Sequence, residues 1–168
     1  MPVVISYSDG EGALGGVGVG VWIPGMEPLA GYIATPPELR AAWARPGRSE
    51  GDERDIYEIE AVGPLLVLQN FGHLMSGKLW IHFIDNEASL ATLVKGSSSV
   101  MSGEFVAAAT HRLIGHHSVW PWFDRVDTHS HPVDKLSRGD MRGDWKLVPI
   151  ASPPGFLGAI TTCLRGDE

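Results

Sequence analysis

Val3-Val4-Ile5-Ser6-Tyr7-Ser8-Asp9 runs through Gly10-Glu11-Gly12-Ala13-Leu14-Gly15 into Gly16-Val17-Gly18-Val19-Gly20-Val21-Trp22. The first stretch is rich in β-branched and aromatic residues, which pack well on a pleated surface, so it reads as a buried strand. The last alternates Gly with Val or Trp at period two, the side-chain repeat of a strand, and the glycine-rich middle is a turn. Pro24-Gly25 turns the chain again into residues 29–34, which predicts an antiparallel meander of three strands. Glycine at every other position of the second strand bares one face, where backbone or a ligand can approach closely.

Beyond the meander the pattern becomes helical. Residues 35–55 read as a surface loop, with a short helix around Leu39 to Ala44 and a mixed-charge stretch from Arg48 to Asp55. A helix is expected from Ile56 to Leu74, but Pro64 has no N–H for the carbonyl of Glu60, which predicts either a kink or a helix proper that begins at Pro64. Residues 78–84 form the next strand. Asn86 caps a helix that runs to about Val94, with Glu87 in its first turn and Gly96 at its end. A helix over Val100 to Gly115, a strand over Val119 to Val126 and a short turn or helix from Asp134 to Arg138 complete the order βββ-α-β-α-α-β-α. In 168 residues this predicts one α/β domain over residues 1–138, with residues 139–168 as a weakly patterned C-terminal extension packed on it.

Composition narrows the function classes. Twenty Asp and Glu against 13 Lys and Arg give a net charge of −7, which argues against a strong nonspecific hold on nucleic acid. The single cysteine, Cys163, cannot form an internal disulfide, and no Cys/His grouping supplies a tetrahedral zinc site. No run approaches the ~20 apolar residues of a membrane span, and the N-terminus lacks a secretory pattern, so the expectation is an intracellular protein with no membrane partner.

Four acids stand in settings that fit one another. Asp9 and Asp85 end strands, the second after Leu79-Trp80-Ile81-His82-Phe83-Ile84; Glu60 lies in a helix and Asp134 in a late turn. Carboxylates are hard oxygen ligands, and two magnesium ions ~4 Å apart need several of them converging from separate elements.

The same places, in the same order, resemble the ribonuclease H family, particularly the domains attached to retroelement reverse transcriptases. Tyr7-Ser8-Asp9-Gly10-Glu11-Gly12 with the Gly-rich second strand looks like the family's first motif, and Ile56-Tyr57-Glu58-Ile59-Glu60-Ala61-Val62 its helix motif. Phe83-Ile84-Asp85-Asn86-Glu87-Ala88 resembles the fourth-strand motif, and His131-Pro132-Val133-Asp134-Lys135-Leu136-Ser137-Arg138 the last, where Asn-Pro-Ala-Asp-x-x-Ser-Arg is common. The resemblance covers residues 3–138. It implies a ribonuclease H-like α/β fold with a five-stranded mixed sheet, three antiparallel strands plus two parallel ones, flanked by helices. It also implies a metal-dependent endonuclease that hydrolyses the RNA strand of RNA–DNA hybrids, with two Mg2+ or Mn2+ ions held by Asp9, Glu60, Asp85 and Asp134.

In that family small residues after the first strand contact the hybrid, which here points to Gly10, Glu11 and Gly12, with Asn86 beside Asp85. Two departures stand out. The helix motif offers Glu58 as well as Glu60, although the apolar run Leu65-Leu66-Val67-Leu68 favours Glu60, and Gly63-Pro64 is unusual inside that helix. Only Lys95-Gly96-Ser97-Ser98-Ser99 stands where cellular-type enzymes carry a basic grip, so a tethered reverse transcriptase or polymerase is the expected partner.

Two rival readings remain. Asp9-Gly10-Glu11 also reproduces the D-x-E motif of 3′–5′ exonucleases, with His129 five residues before Asp134 as base; the other rival is a catalytically silent ribonuclease H-like module. His129 and His131 are auxiliary candidates for proton transfer or product release. His82, His116, His117 and the six tryptophans read as structural, in the core or at domain contacts.

Overall fold

The computed structural model describes residues 2–11, 15–35, 56–98, 101–134 and 143–150. Gly12, the loop helix at Leu39 to Ala44, the charged stretch from Arg48 to Asp55, residues 135–138 and most of the C-terminal extension lie outside them.

The meander forms as expected, from β1 (Val3–Gly10), β2 (Gly16–Trp22) and β3 (Leu29–Ala34), paired antiparallel. After α1 (Ile56–Met75), β4 (Leu79–Ile84) pairs parallel to β1; α2 (Glu87–Lys95) and α3 (Met101–His117) then lead to β5 (Trp120–Arg125), parallel to β4. Among the described residues the sheet has six strands in the order β5-β4-β1-β2-β3-β6, not five. The addition is β6 (Lys146–Leu147), parallel to β3, and two residues are too few to leave a periodic signal in sequence.

Both edges and caps follow local chemistry. On β5 the N–H groups of Trp120 and Val126 turn toward β4, onto the carbonyls of Lys78 and Ile84, so Pro121 falls at the opposite parity and its missing N–H costs no ladder bond. Asn86 caps α2 by accepting from the Ser89 N–H at 2.9 Å, and Gly96 closes that helix in the left-handed conformation.

α1 runs unbroken through Pro64, so the helix proper begins at Ile56. Ile59, Ala61, Val62, Leu65, Leu66, Val67, Leu68, Phe71 and Met75 are all buried, because the helix lies between the sheet and α3 and has almost no wet face. Two glycines set how close it comes. A Cβ on Gly63 would collide with the Ser8 side chain of β1, and one on Gly10 would lie 2.6 Å from Ile59 Cγ2.

Gly63→Ala is therefore expected to destabilise the protein. Overpacking costs about 1–3 kcal/mol, and displacing Ser8 from its hydrogen bond adds about 1, against a gain of about 1 from helix propensity. A chemical-denaturation midpoint equal to that of the wild type would show that α1 does not rest on β1 this tightly.

The helices cover one sheet face, and Val4, Ser6 and Ser8 of β1 point to it with Trp80 and His82 of β4. The other face carries Tyr7, Trp22 and the bare glycines of β2. There Val133 is fully buried, and a Cβ on Gly20 would stand 2.8 Å from it, so the missing side chain at Gly20 is what lets Val133 lie on the sheet. Trp80 is a core residue as expected, whereas Trp120 and Trp122 are each 62% exposed on the edge strand.

Candidate active site

β1 and β4 are parallel neighbours with Tyr7 opposite Phe83, so Asp9 and Asp85, two residues further along each, leave the same end of the sheet side by side. Asp9 is only 6% exposed, while the Asp85 side chain is a quarter exposed. Glu60, in the second turn of α1 and 4% exposed, turns its carboxyl to that strand end, where Oε1 accepts the Gly10 N–H at 3.1 Å. Asp134 follows the turn that crosses the open face, and the His131 ring that opens this turn bonds the Ser8 carbonyl beside Asp9.

Electrostatics reports the same convergence. Burial pushes the Glu60 carboxyl well above its ordinary value, the adjacent Asp9 carboxylate pushes it further and Asp85 adds to the shift, while the Gly10 N–H opposes it. The negative charges of Asp85 and Asp134 both act on His131. Asp9, Glu60 and Asp85 thus act on one another at one end of the sheet, and His131 lies within reach of both Asp85 and Asp134.

Glu58 is also fully buried, but two residues along a helix is a rotation of about 200°, so it cannot share the Glu60 face. Of the two glutamates, Glu60 is the one that meets Gly10 and Asp9. Of the residues expected to contact a substrate, Gly10 uses its N–H on Glu60, and Glu11 closes the turn with its N–H on the Gly16 carbonyl at 2.8 Å. Asn86 uses its side-chain oxygen on the Ser89 N–H and hydroxyl, at 2.9 and 3.0 Å. His129 is exposed in a 3-10 turn, Thr128–Ser130.

Arg125 was not singled out in the sequence. Its Nε donates to the Asp85 carbonyl at 3.0 Å, and its guanidinium lies 3.7 Å from the Asp85 carboxylate and 3.6 Å from that of Glu87. At half exposure such a pair stabilises by less than about 1 kcal/mol, so its consequence is orientation of Asp85 and a local positive charge. The signal was the parallel β4–β5 ladder, which places Arg125 opposite Ile84.

Beneath the acids lies a buried polar chain. Trp80 Nε1 can only donate, and does so to Ser6 Oγ at 2.6 Å; the His82 ring bridges the two serines, with Nδ1 2.6 Å from Ser6 Oγ and Nε2 2.9 Å from Ser8 Oγ. Burial holds the His82 pKa down to about 3, with the charge on His131 acting in the same direction, so His82 is a neutral brace between β1 and β4.

The donor set suits a hard divalent cation. The buried Glu60 carboxyl meets that of Asp9 in a side-chain hydrogen bond and is crowded further by Asp85, the situation that a cation relieves. Among the described residues no three His, Cys, Asp or Glu side chains are gathered tightly enough to ligate one ion.

No protein-family model matches the sequence, and no curated protein is similar to it in sequence. Among solved structures, ribonuclease H1 from the halophilic archaeon Halobacterium salinarum NRC-1 superposes with a TM-score of 0.51 at 12% identity, over 74% of this chain and 86% of that one. No helix among the described residues is long and apolar enough to cross a membrane. With its antiparallel meander, its parallel β4 and β5 and the three α-helices among the described residues, the chain has a ribonuclease H-like fold.

Proposed function

We propose that the chain is a divalent-metal-dependent nuclease that hydrolyses the RNA strand of RNA–DNA hybrids. The observation that carries this reading is the crowding of Glu60 by Asp9 and Asp85 at the shared end of β1 and β4, on a ribonuclease H-like sheet. Asp9, Glu60, Asp85 and Asp134 would hold two ions, Mg2+ or Mn2+. Bound there, the ions would supply an activated water and charge neutralisation for the leaving 3′ oxygen.

The chain's own residues set the stage for that chemistry. The Gly10 N–H fixes one Glu60 oxygen, and burial keeps the other from bulk water. Arg125 orients Asp85, and its half-exposed guanidinium is a cation at the rim for an incoming phosphate. With 20 acidic residues against 13 basic ones, the net charge of −7 disfavours a duplex on balance, so a tethered reverse transcriptase or polymerase would supply most of the grip.

The test is to incubate the protein with labelled RNA–DNA hybrid, single-stranded RNA and single-stranded DNA, with Mg2+, with Mn2+ and with chelator. Internal cuts in the RNA of the hybrid are expected, only with metal and not in Asp85→Asn. Trimming of DNA from its 3′ end without hybrid cleavage would replace this reading by the exonuclease one, and inertness on every substrate by the silent module.

A further inference from the structure

We infer that His131 is a positioning residue that fastens the turn carrying Asp134 to the end of β1, and that it takes no part in proton transfer. The inference rests on the nuclease reading for the role of Asp134.

His131 is 7% exposed, and both ring nitrogens are committed to backbone. The Ser8 carbonyl can only accept, so the 2.8 Å contact to Nε2 fixes the ring hydrogen there. Nδ1 is then the acceptor, and the Val133 N–H points to it at 3.4 Å, a longer and weaker bond. This tautomer follows from the partners.

The two bonds have different ends. Ser8 immediately precedes Asp9, while Val133 immediately precedes Asp134, whose own N–H returns to the His131 carbonyl at 3.4 Å. One ring therefore joins the strand that carries the first acid to the turn that carries the last, across 123 residues of chain. Tyr7 backs the ring at 5.8 Å between centroids, and buried Val133 wedges the turn over Gly20. A shuttle needs a nitrogen that faces the substrate or solvent, and His131 has none to spare; His129, exposed two residues earlier, is the histidine that could serve.

The test compares wild type, His131→Leu, His131→Gln, Asp134→Asn and the double variant His131→Leu/Asp134→Asn. Glutamine places an N–H donor close to the position of His Nε2, whereas leucine keeps apolar bulk and loses the bond. Three readouts are taken: Mn2+ affinity by calorimetry, hybrid cleavage, and amide exchange along residues 131–134.

Loss of an outer partner that orients a ligand typically weakens metal binding about 10- to 100-fold. His131→Leu is expected to fall in that range and His131→Gln to stay within about threefold of wild type, the loss expected once its donor is kept. In the Asp134→Asn background the leucine change should add nothing, because a residue that acts through Asp134 has no effect once Asp134 is gone. An equal fall in both backgrounds, or equal losses for leucine and glutamine, would overturn the inference in favour of a general packing role.

If the wild type binds no Mn2+ and leaves the hybrid intact, the nuclease reading fails and amide exchange decides this inference alone. Faster exchange at Val133 and Asp134 in His131→Leu, restored by glutamine, with α1 and β4 unchanged, upholds the fastening. Unaltered exchange at that turn would overturn it.

Discussion

Glu60→Gln is expected to remove hybrid cleavage and at the same time to leave the metal-free protein at least as stable as the wild type. Activity should fall about 10^3-fold or more, because a lost metal ligand removes several kcal/mol of transition-state charge stabilisation. Stability should move the other way. Glu60 is buried against Asp9, so at neutral pH the native protein bears either an ionised carboxylate in a poor environment or the work of keeping it protonated. Glutamine is neutral, fits the same space and can still accept the Gly10 N–H, so a gain of about 1 kcal/mol in chelator is expected. Glu58→Gln, on the far side of the helix, should leave cleavage within a few-fold of wild type. Cleavage assays and denaturant melts in chelator check both variants together. Full activity in Glu60→Gln with loss in Glu58→Gln would move the helix acid to Glu58.

The ambiguity between those two glutamates shows where sequence stops being legible. What local chemistry sets was readable: the glycine alternation of β2, the cap at Asn86, the left-handed Gly96 and the strand ends at Asp9 and Asp85. The face that α1 turns to the sheet was not, because a helix apolar nearly all round has no stripe to read. Its rotation is fixed by close approach at Gly10 and Gly63, which requires knowing that these glycines meet Ile59 and Ser8. Gly63-Pro64, which reads as an interruption, is thus part of how Glu60 reaches the site.

The other contacts that sequence does not show share one cause. Arg125 beside Asp85 depends on the β4–β5 register, β6 on an edge pairing of two residues, and His131 on the carbonyl of Ser8 far back in the chain. None leaves a periodic trace. Of the two places expected for tryptophans, Trp80 takes the core, while Trp120 and Trp122 stand exposed on an edge strand, a choice that composition leaves open.

Metal should stabilise the fold more strongly as pH rises from about 5 to 8, and the sign follows from Glu60. Its native pKa is raised, so its contribution to stability is fully present below the unfolded value of 4.5 and is lost as pH rises through the native value. A cation at the same carboxyls competes with that proton and offsets the loss, and its binding strengthens as the proton leaves. His82 and His131 act oppositely: their native pKa values are lowered, so their cost is absent above about 6.5 and grows as pH falls below it, down to about 3 for His82. With chelator the two trends overlap at mildly acidic pH and stability stays low toward pH 8; with metal the alkaline side should recover. At one hundred times its dissociation constant an ion that binds only the native state adds about 2.7 kcal/mol, and less if millimolar magnesium fills the site only partly. Thermal melts of wild type and of Asp9→Asn/Asp85→Asn, with magnesium and with chelator at fixed ionic strength across that pH range, measure the effect. Only the wild type should show a metal-dependent rise that grows with pH. Equal shifts in the two proteins would mean that the ions act elsewhere on the chain, and a shift independent of pH would mean that Glu60 surrenders no proton to them.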